Sequence, residues 1–355
     1  MMRGAAAGVL ALTLSWAMPV RAQAPATTGA RTPAASAVWS ALERFAAARA
    51  KVEGELGTDD TAMFQRRLFD DLERTNEPTP DGYTAAQWAD TAGSIARLDI
   101  EAADQLVAGT MAPLRAVPGL HEYLVPSHVD GKWQLVALYV PPNAPAARAS
   151  LAIALHGNPQ TEAELLGQAA LRRVADSTGT IVAAPFGRGI YDFAEPAATD
   201  VYDLLGALQD ALPVDRGRTY LAGYSMGGFS VFKIGPRGGY RWKAVLCISG
   251  AILNSGVRAV DVAWHDMPLY VVTGARDDTI PTKYSEQTAG FLAGLGLPVS
   301  FYQEPTGAHP LRTLIPSLQR AWSDMLAGTD RPDSVPSGHG GFSLPPSAPP
   351  AQVRT

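Results

Sequence analysis

The sequence predicts an α/β fold, in which a mostly parallel β-sheet is covered by helices on both faces. Short apolar runs alternate with amphipathic helical patterns through the second half of the chain. These runs are apolar throughout, which is typical of parallel strands buried on both faces. A hairpin signal, Asp130-Gly131, precedes them between two β-rich stretches. The predicted strands are 121–125, 133–140, 151–155, 180–184, 219–222, 244–249, 269–273 and 299–303, and the predicted helices are 162–177, 200–212, one opening at Met226, 284–295 and 311–326.

A helical module is predicted ahead of the sheet, over residues 37–116. Phe64, Leu68 and Leu72 recur at i, i+4 and i+8, the spacing of one helix face. Thr84 and Gln87 form a capping-box pattern, in which each side chain caps the other residue's backbone donor. The sequence predicts three or four helices here, followed by one α/β domain over residues 120–326.

Both ends of the chain have compositions that set them apart from the folded domains. Residues 1–22 begin with a small positive region at Arg3, followed by an apolar stretch and by Val20-Arg21-Ala22 before a cut, as in a removable signal peptide. The apolar stretch is short for a bilayer span, so we expect no integral membrane segment after cleavage and a secreted or periplasmic protein. Residues 23–36 are predicted to form a flexible leader, and residues 327–355, rich in Pro, Ser and Gly, a disordered tail.

Charge and metal-ligand composition exclude several classes of function. The net charge is -5 and no long basic run occurs, so nothing supports nucleic-acid binding. The six histidines are scattered without metal-ligand spacing, and we predict no metal site. Cys247 is the single cysteine and lies in an apolar strand-like run, which indicates a buried, inert thiol.

The strongest chemical signal is the motif Gly223-Tyr224-Ser225-Met226-Gly227-Gly228, which matches G-x-S-x-G. It lies directly between an apolar strand and a helix, where a tight turn can expose the serine hydroxyl. Glycine flanks remove side chains that would collide at such a turn. The pattern therefore predicts Ser225 as a nucleophile.

A serine nucleophile needs a base, and the base needs an orienting carboxylate, in the chain order Ser, Asp, His for this motif. Asp277 and Asp278 both follow the strand 269–273, and Asp277 is favoured of the two. His309 lies in the loop between the last strand and the last helix. Both loops are expected at the edge of the sheet that carries Ser225.

An oxyanion hole is predicted from the loop that ends the first long apolar strand, His156-Gly157-Asn158-Pro159. The backbone N–H of Met226, next to the nucleophile, is expected to be one donor. Pro159 has no N–H, so Asn158 is the favoured second donor, with Gly157 next. His156 is interpreted as a structural residue that shapes the loop.

These motifs resemble the α/β-hydrolase superfamily, in the branch of esterases, polyhydroxybutyrate depolymerases and dienelactone-hydrolase-like enzymes. The resemblance covers residues 120–326 and rests on 214–228, His156-Gly157, the turn from Gly274 to Pro281, and Gly307-Ala308-His309. It implies an α/β-hydrolase fold and a serine hydrolase that cleaves carboxylic esters, small or polymeric, without a cofactor. The helical module and the Asn158-Pro159 sequence depart from a minimal member.

The sequence leaves specificity and two other functions open. Tyr191, Phe193 and Trp264 are candidates to line a substrate pocket, although each fits ordinary core packing equally well. The helical module is predicted to pack beside the site and to restrict access. A serine peptidase with the same triad, and a non-catalytic binding protein on this scaffold, are the alternatives.

Overall fold

An eight-stranded sheet forms the centre of the computed structural model, which describes residues 31–80, 82–189, 193–237, 240, 242–252, 264 and 267–329. The strands are β1 (Gly119–Pro126), β2 (Trp133–Val140), β3 (Ala149–Leu155), β4 (Ile181–Pro185), β5 (Val214–Tyr224), β6 (Ala244–Ile248), β7 (Leu269–Gly274) and β8 (Val299–Glu304). The helices are α1 (Pro33–Ala47), α2 (Arg49–Leu56), α3 (Thr58–Asn76), α4 (Ala85–Ala108), α5 (Glu162–Gly167), α6 (Ala169–Thr178), α7 (Ala197–Ala211), α8 (Met226–Ile234), α9 (Thr282–Gly294) and α10 (Ile315–Ala327), with a 3-10 turn at Leu311–Leu314 before α10. All eight predicted strands are confirmed.

The sheet order is β1-β2-β4-β3-β5-β6-β7-β8. β1 and β2 are antiparallel, as are β2 and β4, whereas every pairing from β4 through β8 is parallel. The carboxyl ends of the parallel strands therefore meet at one edge, where loops from several strands can assemble a site. The prediction of a mostly parallel sheet is confirmed.

Hydrophobic packing on both faces explains why the parallel strands read as unbroken apolar runs. Every residue of β3 is buried. Leu151, Ile153 and Leu155 contribute to the cluster on one face, and Ala152 and Ala154 to the cluster on the other. This alternation follows from the two-residue period of a strand, so both faces must be apolar.

Several boundaries differ from the predictions. β5 begins at Val214, before the predicted start at 219, and its pairing with β3 is irregular between Ala149 and Leu151. The predicted helix 162–177 is two helices, because Gln168 is extended, with φ -68° and ψ 134°. The first helix begins at Pro33, inside the segment predicted as a flexible leader, and Thr32 caps it through a bond from Ala35 N–H.

Other predictions concern the single cysteine and the ends of the chain. Cys247 is buried on β6, and burial raises the pKa of its thiol to about 12, as predicted for an inert residue. The predicted signal peptide, residues 1–22, and the predicted tail from residue 330 onward lie outside the described residues. In the described part, no helix combines the length and the apolar character that crossing a membrane requires.

The N-terminal module contains four helices, α1 to α4, in agreement with the prediction of three or four. Its apolar core includes Phe64, Leu68 and Leu72, the stripe that the sequence indicates. The same cluster takes in Leu124 and Leu135 from β1 and β2. From Thr32 onward the described residues form one compact unit, so the module and the sheet share a core.

A buried group of charges lies between the module and the sheet, and we call it the Arg67 network: Arg67, Asp71, Asp99, Glu122 and Glu162. Each of these residues is at most 4% exposed. Arg67 donates to Glu162 Oε1 from Nε at 2.9 Å and from Nη2 at 2.7 Å, and its Nη1 lies 3.2 Å from Asp71 Oδ2. Arg67 also contacts Asp99. One guanidinium therefore contacts three carboxyl groups, and Glu122 is a fourth that acts on it electrostatically.

Burial in this acid-rich group shifts the pKa values of two of its members, Asp71 and Glu122. Burial raises the pKa of Asp71 to about 7, although the charge of Arg67 opposes the shift. Burial, followed by the charge of Glu162, raises the pKa of Glu122 well above its usual range. The native state therefore retains protons that the unfolded chain releases near pH 4.

The free energy of unfolding is expected to fall as pH rises from about 4 to about 7, because the folded state binds more protons in that range. Each such proton contributes a slope of up to about 1.4 kcal/mol per pH unit. Asp71→Asn removes one of them and should flatten the profile measured by urea unfolding between pH 5 and pH 8.

Asp130→Asn is the matched control, because Arg188 lowers the pKa of Asp130 to about 2 and its titration lies below that window. If the Asp71→Asn profile kept the wild-type slope, this would contradict the raised pKa of Asp71 in the folded state.

Candidate active site

Ser225 lies on the sharp turn between β5 and α8, as the motif predicts. Its backbone has φ 54° and ψ -113°, a conformation that side-chain-bearing residues rarely adopt. A Cβ on Gly223 would lie 2.1 Å from the carbonyl oxygen of Gly227, and a Cβ on Gly227 would lie 2.3 Å from that of Leu155. The turn can close only because both flanking residues are glycine.

The backbone around the turn fixes Ser225 at the edge of the sheet. Its N–H donates to the carbonyl of Ile248 on β6 at 2.9 Å, and its own carbonyl accepts from Phe229 N–H at 3.0 Å. Ser225 is 8% exposed. The backbone that carries the hydroxyl is thus fixed at the edge of the sheet.

His309 connects Ser225 to a carboxylate. Its Nε2 lies 3.0 Å from Ser225 Oγ, and its Nδ1 lies 2.9 Å from Asp277 Oδ2. With Nδ1 protonated and donating to Asp277, Nε2 is free to accept the serine proton. The structure therefore brings together the three residues that the sequence selected as a triad.

The choice between the adjacent acids is decided by which carboxylate meets His309. The Asp277 side chain is fully buried, and its Oδ1 accepts N–H bonds from Thr279 at 3.1 Å and from Ile280 at 2.8 Å. Asp278 is exposed. These bonds fix the Asp277 carboxylate, which in turn fixes the imidazole ring.

The loops that carry Asp277 and His309 are tied directly to each other. Arg276 N–H donates to the carbonyl of Gly307 at 2.8 Å, and Ala275 N–H donates to that of Glu304 at 2.9 Å. A Cβ on Gly274 would lie 2.4 Å from the Gly307 oxygen, so the two loops cross in close contact. This crossing sets the spacing between acid and base.

Tyr224 is a site residue that sequence reasoning missed. Its hydroxyl donates to the backbone carbonyl of His309 at 3.0 Å, and its ring centroid lies 5.3 Å from that of the imidazole. Burial raises the pKa of Tyr224, so the phenol stays protonated as a donor. Tyr224, at the first variable position of G-x-S-x-G, therefore supports His309, and the motif by itself does not predict this role.

The predicted oxyanion loop lies against the nucleophile. Its first carbonyl, on His156, accepts from Gly227 N–H at 3.0 Å. A Cβ on Gly157 would lie only 3.0 Å from the Cβ of Ser225, so a side chain there would crowd the serine. Asn158 follows at an exposed position. The loop thus approaches Ser225 closely where the sequence places the oxyanion donors.

His156 has the structural position that the sequence indicates. It is fully buried, with Nδ1 3.0 Å from the carbonyl of Gly157 and Nε2 3.0 Å from that of Phe186. Its ring packs 5.1 Å from the ring of Phe193. These contacts join the loop to the end of β4.

Two of the three candidate pocket residues lie in the hydrophobic core. Phe193 and Trp264 are each 1% exposed. Trp264 stacks on Phe232 at 5.8 Å, and its indole N–H donates to the carbonyl of Met267 at 2.7 Å. Both rings therefore pack in the interior, the alternative that the sequence left open, and Tyr191 lies outside the described residues.

The helical module reaches the loop that carries His309. Arg312, three residues after the histidine, donates from Nε to the carbonyl of Gly82 at 2.7 Å. Its guanidinium lies 4.1 Å from the centre of the Tyr83 ring. The α3–α4 connection thus lies beside the site, while restriction of substrate access remains a prediction.

Three features decide the architecture: the sheet order, the strained turn at Ser225 after β5, and the loops after β7 and β8 that carry Asp277 and His309. The chain has the α/β-hydrolase fold. In the described residues, no group of three or more His, Cys, Asp or Glu side chains is arranged to hold a metal ion.

Comparison with known proteins gives structural likeness only. No protein-family profile matches the chain, and no curated protein matches its sequence. A ferulic acid esterase superposes with a TM-score of 0.49 at 17% identity, over 59% of this chain and 98% of the esterase. S-formylglutathione hydrolase (FrmB) from Staphylococcus aureus superposes with a TM-score of 0.48 at 15% identity, over 59% and 98%. An esterase from Pyrobaculum calidifontis gives 0.47 at 16%, over 60% and 86%.

Proposed function

We propose that the protein hydrolyses carboxylic esters through an acyl-enzyme on Ser225. The observation that carries this proposal is the continuous hydrogen-bonded line from Asp277 through His309 to Ser225 Oγ, at the strained turn. A core packing role would not require a serine at positive φ with its hydroxyl aimed at an oriented imidazole.

In the proposed reaction, Ser225 Oγ attacks the ester carbonyl carbon while His309 Nε2 takes the hydroxyl proton. Asp277 holds the imidazole in the tautomer that leaves Nε2 free, and it stabilises the imidazolium that forms. His309 then gives the proton to the leaving alcohol, and the C–O bond of the ester breaks. Water repeats the sequence on the acyl-enzyme and releases the acid and free Ser225.

The negative charge on the carbonyl oxygen needs donors that are already in place. We assign this role to the backbone N–H groups of Met226, at the start of α8, and of Asn158, in the loop beside Ser225. The positive end of the α8 dipole adds a favourable field for an anion. The neighbouring Gly227 N–H already donates to His156, which supports Met226 as the available donor on the helix.

The substrate and the compartment complete the proposal. None of these steps uses a cofactor, so an ester, small or polymeric, is the only reactant besides water. The N-terminal pattern of residues 1–22 supports a secreted or periplasmic location for this chemistry.

The direct test is hydrolysis of chromogenic acyl esters of increasing chain length, with one peptide anilide alongside, by the purified protein and by Ser225→Ala. We expect ester turnover by the wild-type protein and none by Ser225→Ala. A preference for the anilide would favour the peptidase. Turnover that survives in Ser225→Ala would show that the nucleophile is another residue.

Asp277 and Asp278 offer a matched pair of variants. Asp277→Asn is expected to lower kcat by about 10⁴-fold, because an amide favours the wrong imidazole tautomer. Asp278→Asn removes the exposed neighbouring charge and should leave kcat within about twofold, as surface substitutions usually do. Equal losses in the two variants, measured with the same ester, would contradict the assignment.

A further inference from the structure

The short helix α5 follows the oxyanion loop, residues 156–160, and is covered by the N-terminal module. All six of its residues are buried, including the two acids Glu162 and Glu164. A Cβ on Gly167, at its far end, would lie 3.3 Å from the backbone oxygen of Thr91 on α4. Because buried carboxylates are costly without partners, the module must supply groups that pair with them.

Helix α3 supplies these partners as a charged row at helical spacing. Arg67 donates to Glu162 at 2.7 and 2.9 Å. About two turns further on, Arg74 makes a two-pronged contact with Glu164, at 3.1 Å from Nε and 2.8 Å from Nη2. Paired bonds of this kind fix orientation as well as distance.

The contact at the start of α5 is the closest to the loop. Thr161 caps the helix, since its hydroxyl oxygen accepts from Glu164 N–H at 3.2 Å. The same hydroxyl donates to Asp71 Oδ1 at 3.1 Å. By accepting this hydrogen bond, Asp71 turns the lone pairs of the Thr161 oxygen toward the helix. The cap that ends the oxyanion loop therefore depends on a side chain of α3.

The other end of the loop is fixed independently. His156 accepts from Gly227 N–H at 3.0 Å, and Gln160 N–H donates to the carbonyl of Gly157 at 2.9 Å to close the turn. Asn158 lies between this fixed end and Thr161. Its N–H can therefore be held in one position only if the Thr161 end is held as well.

We propose that helix α3 of the N-terminal module positions the oxyanion loop for catalysis, through Asp71 on Thr161 and Arg74 on Glu164. The inference rests on the proposed ester hydrolysis and adds to it a group of positioning residues outside the triad. Displacing a catalytic donor by about 1 Å can cost about 10²-fold in rate, so a helix that never touches the substrate can control kcat.

The first test replaces Thr161 by Val, which keeps the shape and removes the hydroxyl, and by Ser, which keeps the hydroxyl. Thr161→Val is expected to lower kcat about tenfold, the scale of a lost helix cap, with KM changed by less than about twofold. Thr161→Ser should keep kcat within about threefold of wild type.

A trifluoromethyl ketone supplies a readout that a merely structural role would not move. Ser225 Oγ adds to its carbonyl carbon, the serine proton passes to His309, and the resulting oxyanion needs the same donors as the transition state. The affinity for the ketone is measured below the melting temperatures of the wild type and of Thr161→Val. In the variant it should fall by the same factor as kcat.

A second pair of variants keeps the inference testable if Thr161→Val does not fold. Arg74 is 27% exposed, so Arg74→Met is better tolerated, and it is combined with Glu164→Gln in a double-mutant cycle. Because both changes remove the same contact, the double variant should lose little more kcat than either single variant. Asp90→Asn is the control, because it breaks another ion pair between the module and the sheet domain, to Arg172 on α6 at 2.9 Å, and should leave kcat unchanged.

The possible outcomes separate this inference from the proposed function. No ester turnover by the wild-type protein would overturn both. Wild-type turnover with unchanged kcat and ketone affinity in Thr161→Val and Arg74→Met would overturn the positioning role alone. Losses of the same size in Asp90→Asn would also overturn it, because they would reflect general attachment of the module.

Discussion

The strained backbone of Ser225 is the constraint on which the rest of the structure depends. A residue at φ 54° and ψ -113° persists only where its surroundings leave no alternative. Glycines at 223 and 227 allow the chain to turn back on itself, and the bond to Ile248 ties the turn to the neighbouring strand. The parallel sheet then brings the loops after β7 and β8 to the same edge, so the position of one serine determines where acid and base must lie.

Buried charges serve two different purposes in this chain. The Asp277 carboxylate accepts two backbone N–H bonds and meets one imidazole, an arrangement that orients His309. The Arg67 network has more carboxyl groups than a single guanidinium can neutralise, and burial raises the pKa of Asp71 and of Glu122. In the proposed reaction, the first arrangement prepares a proton transfer. The second joins the helical module to the sheet and makes that junction sensitive to pH.

The sequence predicted the elements and residues whose signals are local. A hairpin signal marked the first two strands and apolar runs marked the other six, and the chain order of Ser225, Asp277 and His309 predicted the three residues that meet after β5, β7 and β8. The sequence favoured Asp277 over Asp278 as the partner of His309 but did not decide between them. Adjacent residues in a turn differ in where their side chains point, and that direction depends on the folded backbone. Arg67 and Glu162 are 95 residues apart, so their pairing depends on tertiary packing that no local pattern reveals. The same limit applies to Phe193 and Trp264, because an aromatic residue near a strand end carries no signal of the face it will occupy.

The most direct measurement of the central claim is the site of covalent labelling by a fluorophosphonate, which reacts with activated serine hydroxyls. The protein would be treated with the reagent, digested and mapped by mass spectrometry, with His309→Ala treated in parallel. The account predicts one adduct per chain, on the peptide that contains Ser225, and a large loss of labelling rate in the histidine variant. An adduct on a different residue, no adduct on the native protein, or equal labelling of Ser225 without His309 would contradict it.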